Sequence, residues 1–81
     1  MLLEPNSTGP FILLGETLLK LHQPIQAIHY LDHAVRMDAA NYQTHHLLGQ
    51  AYAAIGDHTA ASREFKTTVE LQQGGTTSAG K

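Results

Sequence analysis

The 81-residue sequence contains no cysteine and no tryptophan, and it has only five lysine and arginine residues. Without cysteine the chain has no disulfide, no zinc–thiolate site and no thiol nucleophile, and its redox compartment stays open. The few basic residues are not clustered, so the basic stripe that displaces counterions from nucleic acid is missing. The composition therefore argues against a nucleic-acid partner.

Long hydrophobic runs are also missing. No apolar stretch approaches the roughly 20 residues that a membrane-spanning helix needs, so we expect no membrane insertion. The opening residues 1–5 have no basic region and soon reach an acidic residue and a proline, which is unlike a secretory signal. The hydrophobic fraction of 42% is that of an ordinary globular domain. By default we expect one small, soluble, cytoplasmic domain.

What the sequence does contain is an internal repeat. Residues 13–18 (LLGETL) correspond to residues 47–52 (LLGQAY) at a spacing of 34 residues. The correspondence continues along the chain, where Leu31 falls on Phe65 at the same spacing. A fixed period of this length is typical of stacked units that each contain two helices.

Helix start and stop signals divide the chain at matching places. Pro24 lacks the backbone N–H that a first helical turn leaves unpaired, so it suits a helix start. Asn41 is a plausible N-cap, and the pair Gly56-Asp57 combines a helix stop with the cap of the next helix. These signals predict helices over about residues 8–21, 24–37, 42–55 and 58–72, and hence an all-α fold of two stacked antiparallel helix hairpins.

The two ends of the chain fall outside this helical pattern. Residues 1–7 align with the junction that follows the second helix, so we expect them to be the end of a preceding repeat or a stub. Residues 74–81 have no apolar pattern and are expected to be a disordered tail. We therefore divide the rest into a first repeat over residues 8–41 and a second repeat over residues 42–73.

The repeated positions resemble those of the tetratricopeptide repeat (TPR) family, over nearly all of the predicted helical region. The matching residues are Leu14, Gly15, Ala27, Leu31 and Ala34 in the first copy, and Leu48, Gly49, Tyr52, Gly56, Ala61 and Phe65 in the second. Phe11 and His45 stand at the position of the family's tryptophan, and Leu18 replaces its tyrosine. The resemblance implies a fragment of an α-solenoid, a right-handed superhelix, that acts as a non-catalytic scaffold for protein–protein interaction.

The resemblance also implies a concave groove, built by the first helix of each repeat, that holds a peptide or helix of a protein partner. One subclass of the family binds the acidic C-terminal tail of chaperones, but here Glu16 replaces a tail-binding Asn and would repel a carboxylate. Alternatively, the groove positions are simply solvated, and partners bind other repeats. These positions are Ile12, Glu16, Leu19, Lys20, Gln43, His46, Gln50 and Ala53.

Two other functions remain open from the sequence. The first predicted helix is apolar nearly all round, and a helix of that kind is normally covered on both sides. A self-association module is therefore one alternative, with Phe11 and Leu13 in a homodimer interface of the first helix. The other alternative is a regulatory or substrate-recruiting segment of a larger enzyme, an arrangement known in the family.

Candidate chemistry is sparse. Among the six histidines, His29 and His33 have the four-residue spacing of two metal ligands on one helix. No third ligand stands nearby in the sequence, so solvated helix surface is the favoured interpretation. The serines lack a triad motif, and the glycines form no phosphate-binding loop. We expect no catalytic residues, no cofactor and no bound metal.

Overall fold

A computed structural model describes residues 9–73 of the chain, and four helices follow one another within this range. They are α1 (Gly9–Lys20), α2 (Pro24–Met37), α3 (Tyr42–Ala54) and α4 (His58–Gln72). No strand occurs among the described residues, so the all-α fold is confirmed. The expectations for residues 1–7 and 74–81 concern segments that lie outside the described residues.

Short polar side chains cap α3 and α4. The Asn41 side chain accepts a hydrogen bond from the backbone N–H of Gln43 at 2.9 Å. The Asp57 carboxylate accepts one from the backbone N–H of Ala60 at 3.1 Å. Both bonds pair N–H groups that the first helical turn leaves without an intrahelical acceptor. Helix α2 begins at Pro24, whose missing N–H needs no cap.

The helices form two antiparallel hairpins, α1 with α2 and α3 with α4, and α2 is the helix that packs against both α1 and α3. Helix α1 packs against α2, α3 packs against α4, and α2 packs against α3. Because α2 is covered on both sides, Ala27, Leu31 and Ala34 have no exposed surface. These residues are the centre of the main core, whose buried members are Ile12, Leu18, Ala27, Leu31, Ala34, Leu47, Leu48 and Ala51.

Gly15 and Gly49 provide the space for this packing. A Cβ atom at Gly15 would lie 2.5 Å from Cγ of Leu31, and one at Gly49 would lie 2.6 Å from Cε1 of Phe65. In each hairpin a large side chain of the second helix occupies the space above the glycine, so the glycine makes room for that side chain.

The turns within the two hairpins have the same backbone conformation despite different residues. Gly56 has φ of 85°, and His22 has φ of 61°, so both lie in the left-handed region. In each turn the next residue donates its backbone N–H to the carbonyl five residues earlier, at 2.8 Å in the first turn and 2.9 Å in the second. Glycine takes this conformation without cost, whereas a residue with a Cβ loses roughly 1–2 kcal/mol.

Replacing His22 with glycine should therefore stabilise the fold. We expect His22→Gly to raise the free energy of unfolding by about 1 kcal/mol, because the strain at φ of 61° disappears. Urea unfolding at neutral pH measures the change. The matched control is Gly56→Ala, which introduces the same strain in the other turn and should lower stability by about 1 kcal/mol. A His22→Gly variant less stable than the wild type would contradict this account.

Adding a methyl group at the two helix-packing glycines should be costly to different degrees. We expect Gly15→Ala to lower the free energy of unfolding by roughly 1–3 kcal/mol, because the Leu31 side chain above it is fully buried and has no room to move. Gly49→Ala should cost less, because Phe65 is only partly buried and its ring can shift.

Gly9→Ala is the control for these two variants, since a Cβ at Gly9 meets nothing within 4 Å. Thermal or urea unfolding of the three variants gives the comparison. If Gly15→Ala were as stable as Gly9→Ala, the close approach of Leu31 to α1 would be refuted.

Candidate functional site: a groove between α1 and α3

The first helices of the two hairpins, α1 and α3, border a shallow groove. Two depressions lie along it, of about 450 Å³ and about 270 Å³, and both are lined by Glu16 and Gln43. The other residues that line the larger depression are Leu19, Lys20, His46, Leu47 and Gln50. The others that line the smaller one are Gly9, Ile12, Leu13 and Asn41.

The residues predicted for the groove line the two depressions, apart from Ala53, and one of them, Ile12, is nearly buried. Ala53 is exposed on α3 but is not among the residues that line the two depressions. Ile12 is only 6% exposed, so it belongs to the core and forms the floor of the groove, not a free apolar anchor. Leu19 is partly buried and packs against the same core, which leaves one edge of its side chain accessible.

Sequence reasoning missed some of the lining residues. Leu47 and Asn41 line the groove, although the sequence had suggested only a repeat position for Leu47 and a cap for Asn41. A signal for Leu47 was present, because Gln43, Leu47 and Gln50 have the spacing of one helix face. Asn41 reaches the groove because it begins α3 next to α1, which depends on tertiary packing.

The charged and polar groups of the groove are largely paired with one another. Lys20 Nζ lies 3.8 Å from Glu16 Oε2, one turn earlier on α1, and both side chains are well exposed, so the pair is weak. The Gln50 amide nitrogen lies 3.2 Å from Nε2 of His46. The His46 ring stands beside Phe65, with 5.6 Å between the ring centroids. The groove therefore offers amide and imidazole groups above an apolar floor, with little net charge.

A further depression of about 470 Å³ lies beside α2 and contains the predicted histidine pair. The His33 ring packs on Phe11 at a centroid distance of 4.6 Å, and the His29 ring meets the edge of Tyr30 at 5.3 Å. Asp32 pairs with Arg36 at 3.3 Å on the same helix. Within residues 9–73, no group of three or more histidine and acidic side chains is arranged to hold a metal ion.

The outer face of the first hairpin is apolar and accessible. Leu13 is 64% exposed, Leu21 is 59% exposed and Ile25 is 70% exposed. Phe11, the other residue predicted for self-association, is only partly exposed because its ring packs on His33. Sequence reasoning had not singled out Leu21 and Ile25, which lie in the turn after α1 and in the first turn of α2.

The corresponding positions of the second hairpin are covered. Leu47 and Leu48 stand 34 residues after Leu13 and Leu14, and they are only 7% and 3% exposed. Helix α3 packs against α2, α4 and α1, whereas α1 packs mainly against α2 and less extensively against α3. Leu13 and Leu14 of α1 are therefore exposed where the corresponding leucines of α3 are covered by a neighbouring helix. Within the described range, no helix covers them in the same way.

Comparison with protein families gives one match: residues 42–74 fit the family described as the tetratricopeptide repeat. Searches of curated proteins and of solved structures give no match. Among the helices that the structure describes, none is long and apolar enough to cross a membrane.

Proposed function

We propose that this chain is a protein–protein interaction scaffold whose groove between α1 and α3 holds a segment of a protein partner, because residues 42–74 match the tetratricopeptide repeat family. Repeats of this family are typically interaction modules without catalytic activity, and the proposal includes no chemistry by the chain itself. The observation that carries it is that Glu16, Lys20, Gln43 and Gln50, from two different helices, line one depression between α1 and α3.

We also propose that residues 8–41 form a first repeat, followed by a second over residues 42–73. Support comes from features that recur 34 residues apart. The glycine of each first helix lies beneath a large side chain of the following helix. Both hairpins turn through one residue of positive φ, His22 in the first and Gly56 in the second. The groove depends on this division, since each repeat contributes its first helix.

The chemistry of the groove favours a partner segment with little negative charge. Glu16 lines both depressions and would repel a carboxylate at the centre of the groove. Gln43 and Gln50 can donate to and accept from the backbone of an extended peptide. The edges of Leu19 and Leu47 provide an apolar floor for one or two side chains. We propose an extended, mostly uncharged segment with an apolar side chain as the ligand.

A charged obstruction in the groove should abolish binding without disturbing the fold. We expect Gln43→Arg to weaken peptide binding by about tenfold or more, because Gln43 is exposed and lines both depressions. The probes are peptides selected on the wild-type chain from a random phage-displayed library, and calorimetry gives their affinities. Ser62→Arg adds the same side chain to exposed surface of α4 and should bind as the wild type does. Equal affinity for Gln43→Arg would place the binding site elsewhere.

Self-association is the second candidate, and the exposed leucine face of the first hairpin favours it. Leu13, Leu21 and Ile25 are each more than half exposed, and apolar faces of this kind are normally covered in an assembly. The equivalent positions of α3 are covered by a neighbouring helix, which indicates that a helix can also pack on the exposed apolar residues of the first hairpin. A second copy of the chain would bring a helix of this kind, so the first hairpins of two copies would pair.

Self-association predicts a homodimer in the micromolar range that one charge disrupts. Light scattering over a wide concentration range should give a dimer mass for the wild type and a monomer mass for Ile25→Glu, because Ile25 is 70% exposed on the proposed interface. Val69→Glu is the control, since Val69 is an exposed apolar residue of α4, outside the first hairpin. A monomer mass for the wild type at all concentrations would exclude this candidate.

A further inference from the structure

His45 is a buried histidine of α3 that contacts both α4 and the link before α3. Its Nδ1 lies 2.7 Å from Oε1 of Glu64 on α4, and its Nε2 lies 2.9 Å from the backbone carbonyl oxygen of Ala39. Only 11% of the His45 side chain and 19% of the Glu64 side chain are exposed. The imidazole therefore connects α3 both to α4 and to the link that enters α3.

Both partners of the His45 ring are oxygen atoms that only accept hydrogen bonds, when the Glu64 carboxyl is ionised. A neutral imidazole has one N–H, so its second nitrogen would direct a lone pair at an oxygen less than 3 Å away. An imidazolium has an N–H on each nitrogen and donates to both oxygens. We propose that His45 is an imidazolium in the folded chain. Its two N–H groups then donate to Glu64 and to the Ala39 carbonyl, and so hold α3 to α4 and to the link before α3.

Tyr52, a neighbour of His45 on α3, lies among acidic groups. Tyr52 lies two turns after His45 on α3, and burial, followed by the negative charges of Glu64, Asp32 and Asp57, raises the pKa of its phenol. Arg63 has the opposite, smaller effect on the same pKa. Acidic groups thus face this side of α3 from α2, from the turn before α4 and from α4 itself.

The link that enters α3 adds a further acidic group. Asp38 precedes the Ala39 carbonyl, and its carboxylate accepts a hydrogen bond from the backbone N–H of Ala40 at 3.3 Å. The Glu64 carboxylate is in direct contact with the ring, and hydrogen bonds between charged groups are stronger than neutral ones. The imidazolium of His45 therefore has a favourable partner on each side.

A proton held by the folded chain makes stability depend on pH with a definite sign. The unfolded chain releases its histidine protons near the ordinary value of about 6.5. The folded chain, in this proposal, keeps the His45 proton at higher pH because two oxygens require it. Stability from these hydrogen bonds is therefore present below about pH 6.5, as long as Glu64 is ionised, and it is lost as the pH rises. At high pH we expect α3, which borders the groove, to be held less firmly to α4 and to the link before it.

Glu64→Gln is a sharp test, because a glutamine side chain can satisfy a neutral ring. Its amide N–H can donate to Nδ1, while the Nε2–H of the neutral imidazole donates to Ala39. Urea unfolding of the wild type should give an unfolding equilibrium constant that rises by about tenfold between about pH 6 and pH 8.5, relative to Glu64→Gln. His29→Gln removes an exposed histidine of α2 and should keep the wild-type dependence. Parallel pH profiles of the wild type and Glu64→Gln would overturn the proposal.

Nitrogen NMR of the wild-type histidine rings provides a second measurement that does not depend on a variant folding. At about pH 7, above the ordinary histidine value, the ring nitrogens of His45 should mostly have the chemical shifts of protonated nitrogen. The exposed histidines His29 and His58 give reference signals in the same spectrum. A neutral tautomer at His45 under these conditions would also overturn the proposal.

Discussion

The structure depends on the double coverage of α2. Its central residues Ala27, Leu31 and Ala34 have no exposed surface, because α1 lies on one side of α2 and α3 on the other. The close seat of Leu31 above Gly15 sets how near α1 comes, and this distance fixes the position of the first wall of the groove. The second wall, α3, is positioned by the opposite side of α2 and by its own partner α4. One buried helix therefore sets the spacing of the two helices on which the proposed function depends.

Local signals in the sequence predicted the helices well because the determinants are themselves local. Asn41 and Asp57 cap the helices that follow them, and Pro24 begins α2, as their side-chain chemistry requires. The 34-residue repeat then indicated which helices pair. It also indicated most of the residues that line the groove, because α1 and α3 lie at its two borders.

The features that escaped prediction depend on contacts between distant residues. Periodicity does not distinguish a floor residue such as Ile12 from an exposed anchor, because that depends on how closely α3 approaches. The left-handed conformation of His22 is visible only from its equivalence to Gly56, and the residue type gives no hint of it. The bonds of His45 connect residues 39, 45 and 64, and no local pattern links those three positions.

The two hairpins differ in how well they are secured. The second has a glycine turn, two side-chain caps and the bridge from His45, whereas the first has a histidine in a strained turn and an exposed leucine face. Local opening should therefore start at α1, and the hydrogens of its backbone amides should exchange with solvent sooner than those of α3. Because the groove needs α1, any ligand in the groove would bind only the closed form. A partner would then complete the folding of the first hairpin, and part of its binding energy would be used for that ordering.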